Sequence, residues 1–199
     1  MSPATSSARQ AGRPRDPGVD RLILETTVAH LVERGYDAMS IEGISAAAGV
    51  GKTTIYRRYP GKRELVVGAI SSLASSIEPP ADLGDTRAEL RAFLTGMFGV
   101  LRHGGLGFAM VGTLLVREQT DPELLDRFRV EVIRPRMAIA MTILRRGIER
   151  GEVRADLELD VVTQLLAGSI FARHVSGQPE DEAWVDAVFE TLWGGIAAR

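Results

Sequence analysis

From Val19 onward the apolar positions recur with a helical period. Leu22, Ile23, Thr26, Ala29, Leu31 and Val32 form one face, and Gly35 is placed to stop that helix near Arg34. Ser40 precedes Ile41-Glu42-Gly43-Ile44 as an N-cap whose hydroxyl accepts from a free amide of the next turn. That helix runs to about Ala47, Gly49 breaks it, and a second short helix spans residues 52–58. Pro60-Gly61 ends the second, and another helix runs from Lys62 past Leu73 towards Pro79-Pro80. Further helices are predicted over residues 86–101 and 108–118, separated by a glycine-rich connection, "RHGGLGFAM", at residues 102–110. Asp121-Pro122 opens a long helix, with Asp121 as N-cap and proline at the tolerated first position. Pro135 should kink it, and Gly151 ends it. Residues 160–176 and 180–197 supply the last two helices, and no stretch alternates convincingly with the period of a strand. The expected fold is all-α, with about nine helices.

The stretch Ala46-Ala47-Ala48-Gly49-Val50-Gly51-Lys52-Thr53-Thr54 ends like a phosphate-cradling nucleotide loop. Such a loop needs a glycine five positions before Gly51, and Ala46 stands there. It also follows a buried strand, whereas "SIEGISAAA" is helical and only half apolar. A nucleotide loop is therefore rejected. Ile41, Ile44, Ala48, Val50 and Ile55 instead form one apolar set across two short helices, and the small residues Ser45 and Ala48 let those helices cross closely. Gly49 supplies the positive φ that a tight turn demands. This is the construction of a helix-turn-helix. Its second helix presents Lys52, Thr53, Thr54, Tyr56, Arg57 and Arg58, three cations and three hydroxyls suited to phosphate oxygens.

Charge supports that division. Residues 1–63 hold ten Lys/Arg against six Asp/Glu, while the remainder holds fourteen against twenty, so a basic module precedes an acidic body in a chain of net charge −2. The absence of cysteine excludes disulfides, thiolate catalysis and cysteine zinc sites. His30, His103 and His174 are scattered without metal-ligand spacing, so neither metal, cofactor nor catalytic site is expected. The polar N-terminus is not a signal peptide, no apolar run of about 18 residues exists, and a cytoplasmic location without a membrane partner is expected.

At "SIEGISAAAGVGKTTIYRRYPGKRELV" the chain resembles the DNA-binding domain of TetR-family transcriptional regulators, over residues 19–66. The capped helix, the Ala48-Gly49-Val50 turn, Thr54-Ile55-Tyr56, Tyr59 and Lys62-Arg63-Glu64-Leu65 carry the resemblance. Gly51 departs from a frequent serine, and Gly43 and Ser45 from frequent alanines, which should slightly weaken the first short helix. The resemblance implies that Lys52, Thr54, Tyr56 and Arg57 face the major groove or its flanking phosphates. It implies that Lys62 grips the backbone, that the helix capped by Ser40 points its N-terminus at phosphate, and that Gly51 and Thr53 belong to the same surface. It further implies three segments: a basic arm at 1–16, a three-helix DNA-binding domain at 17–63, and a helical ligand-binding and dimerisation domain at 64–199. Within the arm, Gly12-Arg13-Pro14-Arg15 is similar to an AT-hook, so Arg13 and Arg15 either enter a narrow minor groove or add only non-specific attraction.

Two features of the larger part have physical readings. The last two helices carry wide apolar faces: Val162, Leu165 and Leu166 on one, and Trp184, Val188, Phe189, Leu192 and Trp193 on the other. Gly168 and Ala172 would admit a close neighbour. A two-fold dimer through a four-helix bundle fits this pattern and the family, and ordinary intrachain core is the alternative. Phe93, Met97, Phe98, Leu101, Phe108, Met110, Leu114, Met137 and Met141 form an apolar, methionine-rich set with Arg117, His103 and His174 as polar members. It reads either as a small-molecule pocket or as core packing. The resulting expectation is a non-enzymatic, homodimeric repressor, released from a palindromic DNA operator by a small apolar or amphipathic ligand. An activator or ligand-independent DNA-binding protein of the same fold is the alternative.

Overall fold

The computed structural model describes residues 16–74, 81–102 and 106–198. Its helices are α1 (Pro17–Ala38), α2 (Ile41–Ala48), α3 (Lys52–Tyr56), α4 (Lys62–Ala74), α5 (Thr86–Arg102), α6 (Leu106–Arg117), α7 (Pro122–Phe128), α8 (Arg134–Glu149), α9 (Leu159–Val175) and α10 (Glu182–Ile196). A π-helical turn, Arg129–Ile133, joins α7 to α8 without a break, so the described residues form nine helical rods. Among them the one extended pairing is a bridge between Val153 and Ala197, which ties the chain's end to the segment after α8.

Several local signals act as expected. Gly35 interrupts α1 at φ 73°, ψ 168°, and Gly49 takes the left-handed conformation at φ 63° that closes α2. Ser40 caps α2 by accepting from the Gly43 amide at 3.1 Å. Others are overruled by packing. The glycine-rich segment expected to connect two helices is already helical from Leu106, because Met110 and Leu114 have a core to enter and are each 1% exposed. That burial outweighs the cost of about 1 kcal/mol per helical glycine. Pro135 produces a π turn rather than a simple kink. The Arg134 amide bonds back to the Arg129 carbonyl, and the widened turn accommodates the proline's missing donor and bulky ring. Asp121 precedes Pro122 as expected but makes no capping bond, since its carboxylate is held by Arg63.

Two apolar cores organise the chain. The first joins Ile23, Leu31, Ile44 and Ile55 of α1–α3 with Leu65, Val66, Ala69 and Ile70 of α4, and with Met110, Leu114, Leu124 and Val132 further along. It runs continuously across residue 63, where the sequence suggested a boundary. The second joins α5, the later half of α8, α9 and α10 through Leu94, Phe98, Ile143, Leu166 and Phe189.

The register of α5 against α8 is set by a buried charge cluster. Glu89 is fully buried and accepts from Arg146 at 2.5 Å, from Arg150 at 3.3 Å and from the Leu83 amide at 3.0 Å. Beside it, a Cβ on Gly147 would lie 2.6 Å from the Thr86 methyl, so the two helices touch there through a glycine. Removing one member of a buried, hydrogen-bonded ion cluster leaves the others uncompensated. Glu89→Ala is therefore expected to lower unfolding free energy by about 3 kcal/mol or more in urea denaturation. A loss below about 1 kcal/mol would show that the cluster does not hold this register.

Candidate nucleic-acid interface and regulatory faces

The second short helix owes its position to one residue. Ile55 is fully buried in the α1–α2–α4 core, and its neighbours are therefore thrown outward. Lys52, Thr53, Tyr56 and Arg57 are exposed and Thr54 is half-buried; Gly51 before them is exposed at φ −61°, with open space where a side chain would stand. The turn that aims this helix is clamped by the Ser45 hydroxyl, which donates to the Val50 carbonyl at 2.5 Å. Gly43 lets the buried His30 ring approach, since a Cβ there would lie 3.3 Å from His30 Cε1. Both departures from alanine thus have a local use. Tyr59 packs inward over Gly68, where a Cβ would come within 2.8 Å of the ring.

Arg58 does not join the exposed face. Its side chain is 7% exposed and its Nε donates to Asp20 of α1 at 2.5 Å. The outward surface of α3 therefore carries two cations, not three, and Arg58 fastens the helix to α1. Lys52 lies 3.4 Å from Glu42, both of them exposed. The Glu42 backbone amide and Lys52 together hold that carboxyl below its ordinary value. Exposed and screened, such a pair exchanges readily for another anion.

Lys62 opens α4. It is half-buried, donates to the Asp37 carbonyl at 3.1 Å and sits 4.6 Å above the Tyr36 ring; burial lowers its pKa. Arg117, expected as a polar member of a ligand pocket, stacks 4.5 Å from the centre of the same ring and bonds Asp37 at 2.7 Å. Arg63 reaches Asp121 at 3.3 Å and also Glu123. The end of α1 and the start of α4 are thereby held to the α6–α7 corner by a charged latch. No local sequence signal announces it, because the partners are 58 or more positions apart.

The remaining ligand-set residues divide between the two cores. Phe93, Met97, Phe98, Leu101 and Phe108 pack with the second; Met110 and Leu114 belong to the first. Met137 and Met141 are half-buried on α8. His174 is exposed, stacks flat on Phe108 at 3.7 Å and lies 2.8 Å from Glu180. His103, Arg13 and Arg15 lie outside the described residues.

The dimer set divides as well. Val162, Leu166 and Phe189 are 5%, 1% and 0% exposed and fill the chain's own core. Trp193 stacks on Phe189 at 6.1 Å. Leu165 is 58% exposed, and Gly168 and Ala172 are exposed beside it. An open apolar groove of about 810 Å³ runs between α9 and α10, lined by Val161, Leu165, Trp184, Val188 and Leu192 among others.

With this geometry in place, comparison with known proteins is specific. Residues 23–69 match the family model of bacterial regulatory proteins of the tetR family, and residues 80–192 match that of the tetracyclin repressor-like C-terminal domain. The chain is 29% identical over 190 residues to an uncharacterised HTH-type transcriptional regulator, YdeS, of Bacillus subtilis, covering 94% of each chain. It is 27% identical over 173 residues to the DNA-binding transcriptional repressor TetR of Mycobacteroides abscessus, covering 85% of this chain and 89% of the other. Among solved structures, FadR of Bacillus subtilis in complex with stearoyl-CoA superposes with a TM-score of 0.65 at 21% identity, covering 88% and 98% of the two chains.

The two adjacent arginines of α3's end should separate by experiment. Arg57→Ala is expected to keep the wild-type melting temperature while reducing the salt slope of DNA binding by about one. Arg58→Ala is expected to lower the melting temperature, because it strands Asp20. If Arg58→Ala leaves stability unchanged and reduces the salt slope instead, Arg58 belongs to the DNA surface.

Proposed function

The chain belongs to the TetR family and is a DNA-binding transcriptional regulator, and on that premise we propose that it works as a homodimeric cytoplasmic repressor, without catalytic activity, that a small molecule releases from a palindromic operator. The observation that carries the DNA side of this reading is the immobilisation of α3. Ile55 and the Arg58–Asp20 pair fix its axis, while Lys52, Thr53, Tyr56 and Arg57 remain outward. In our reading the hydroxyls and Arg57 take phosphate oxygens and base edges, and Lys52 leaves Glu42 for a phosphate. Lys62 acts through the junction, bracing α4 against Tyr36.

Two recognition helices must lie about 34–36 Å apart to meet successive major grooves. The apolar groove between α9 and α10 supports a two-fold bundle as the device that sets this spacing, since an uncovered apolar face of that size marks an interaction surface. The latch supports the release step. Arg63 and Arg117 hold the helix-turn-helix to the α6–α7 corner, so a ligand that favours a different position of that corner also changes the recognition-helix spacing. Release requires only that the ligand bind that conformation more tightly than the DNA-bound one. The repressor named among the relatives and the acyl-CoA-bound structural neighbour support the two halves of this reading.

Exposure chooses the variant that tests the dimer. Leu165→Glu places a charge in the groove without touching the core. It is expected to sediment as a folded monomer and to bind a duplex selected by the wild-type protein at least tenfold more weakly, the loss of one half-site. Phe189 is unsuitable, since a charge there would unfold the chain. A folded Leu165→Glu dimer would place the interface elsewhere.

A further inference from the structure

Glu42 is the one acid among residues 38–63, a stretch that also holds Lys52, Arg57, Arg58, Lys62 and Arg63. It stands in the first turn of α2 with its side chain 60% exposed, and its Oε1 lies 3.4 Å from Nζ of Lys52, the first residue of α3. Asp20, which α1 brings to the same helix, is taken by the inward-facing Arg58. Glu42 thus puts a carboxylate on the outward surface, among the phosphate-seeking side chains of α3.

Stability does not account for this arrangement, because an exposed and screened ion pair contributes little to folding. Binding makes it a cost, because a carboxylate on a surface that approaches DNA is repelled by the phosphates. The fold nevertheless holds it in place. The Gly49 turn, clamped by the Ser45 hydroxyl on the Val50 carbonyl, seats α2 against α3. The carboxyl itself is held below its ordinary value by its own backbone amide and by Lys52.

When a duplex arrives and Lys52 moves to a phosphate, this carboxylate loses its cation at the rim of the groove. An ionised carboxylate only accepts hydrogen bonds. Phosphate oxygens, guanine N7 and O6, and thymine O4 also only accept. The donors in the major groove are the amino groups of cytosine and adenine, and the carboxylate's partner among them is cytosine N4. Adenine sets the acceptor N7 beside its amino group, a pattern that suits an amide and repels a second carboxylate oxygen.

We propose that Glu42 is a specificity-determining residue of the DNA surface, which reads a cytosine in the major groove and makes the Lys52 phosphate contact conditional on it. This rests on the reading of α3 as the DNA-facing helix and adds one base to it. Where the duplex offers cytosine, the carboxylate accepts from N4 and Lys52 is released to a phosphate. Where it offers thymine, the carboxylate meets O4 and keeps Lys52, so the phosphate contact is lost with the base contact.

The test selects duplexes from a randomised pool with the purified full chain as wild type, Glu42→Gln and Glu42→Ala. Fluorescence anisotropy then measures affinity for single-base variants over a range of salt. Wild type is expected to require cytosine at one position of each half-site, and replacing that C·G pair by T·A should weaken it about tenfold, the size of a direct base contact. In Glu42→Ala the same replacement should cost about threefold or less, since the group that told the bases apart is gone. Glu42→Ala should also bind random-sequence duplex more tightly than wild type, with a salt slope steeper by about one, because a negative charge has left the surface. Glu42→Gln should select adenine in place of cytosine. A cytosine requirement that survives in both variants, or no position whose base cost changes in Glu42→Ala, would overturn the assignment. So would variants that melt lower than wild type while keeping its base preferences and its affinity for random duplex, because Glu42 would then only stabilise the first turn of α2. Arg57→Ala separates the two claims. If it leaves affinity and salt slope unchanged, α3 does not face DNA and both fall. If it lowers both while the Glu42 variants keep wild-type preferences, only the role of Glu42 falls.

Discussion

The burial of α4 on both sides is the constraint on which the rest depends. Leu65, Val66, Ala69 and Ile70 are fully buried, and the core they enter contains Ile55 of the recognition helix as well as Leu124 and Val132 of the α7 rod. A helix committed to two neighbours at close-packed density cannot yield to one without disturbing the other. α4 therefore belongs mechanically to the helix-turn-helix and to the larger part at once. The charged latch at its start reinforces this, since Arg63 reaches across to Asp121 while Lys62 rests on Tyr36. Because the core is shared, α3 and the α6–α7 corner are seated in one packed cluster, through Ile55 on one side and Met110, Leu114 and Leu124 on the other.

The arginines show how one residue type is divided among tasks by burial. Arg58 and Arg146 are clamps: each meets a carboxylate on another helix, and their pairs fix the seat of α3 and the register of α5 on α8. Arg57 is exposed and free to meet an external anion in water. Arg117 lies over the Tyr36 ring and bonds Asp37, so it joins α6 to the end of α1. Net charge alone hides this division.

Much of the helix-turn-helix was legible because its signals are local. Gly35 and Gly49 stop helices through their own backbone freedom, Ser40 caps through its own hydroxyl, and Ile55 stands out by the apolar spacing around it. The all-helical character was legible for the same reason. The start of α6 was not, because its glycines argue against a helix and only the core waiting for Met110 and Leu114 decides otherwise. The π turn before Pro135 was likewise hidden, since a proline announces a disturbance without saying whether the helix bends or widens. Of the apolar residues on α9 and α10, periodicity named the faces. It did not separate Phe189 and Leu166, which fill the chain's own core, from Leu165, which remains outside.

The sequence by itself determined what short-range chemistry can determine: nine helical rods among the described residues, the turn at Gly49, the outward Lys52, Thr53, Tyr56 and Arg57 of α3 though not the inward Arg58, and membership of a family that regulates transcription. Tertiary structure decided the partners. Arg58 finds Asp20 at a separation of 38 residues and Arg63 finds Asp121 at 58. A charge's role depends on what lies within a few ångströms, and that distance is set by how helices pack, which no local pattern of residues encodes.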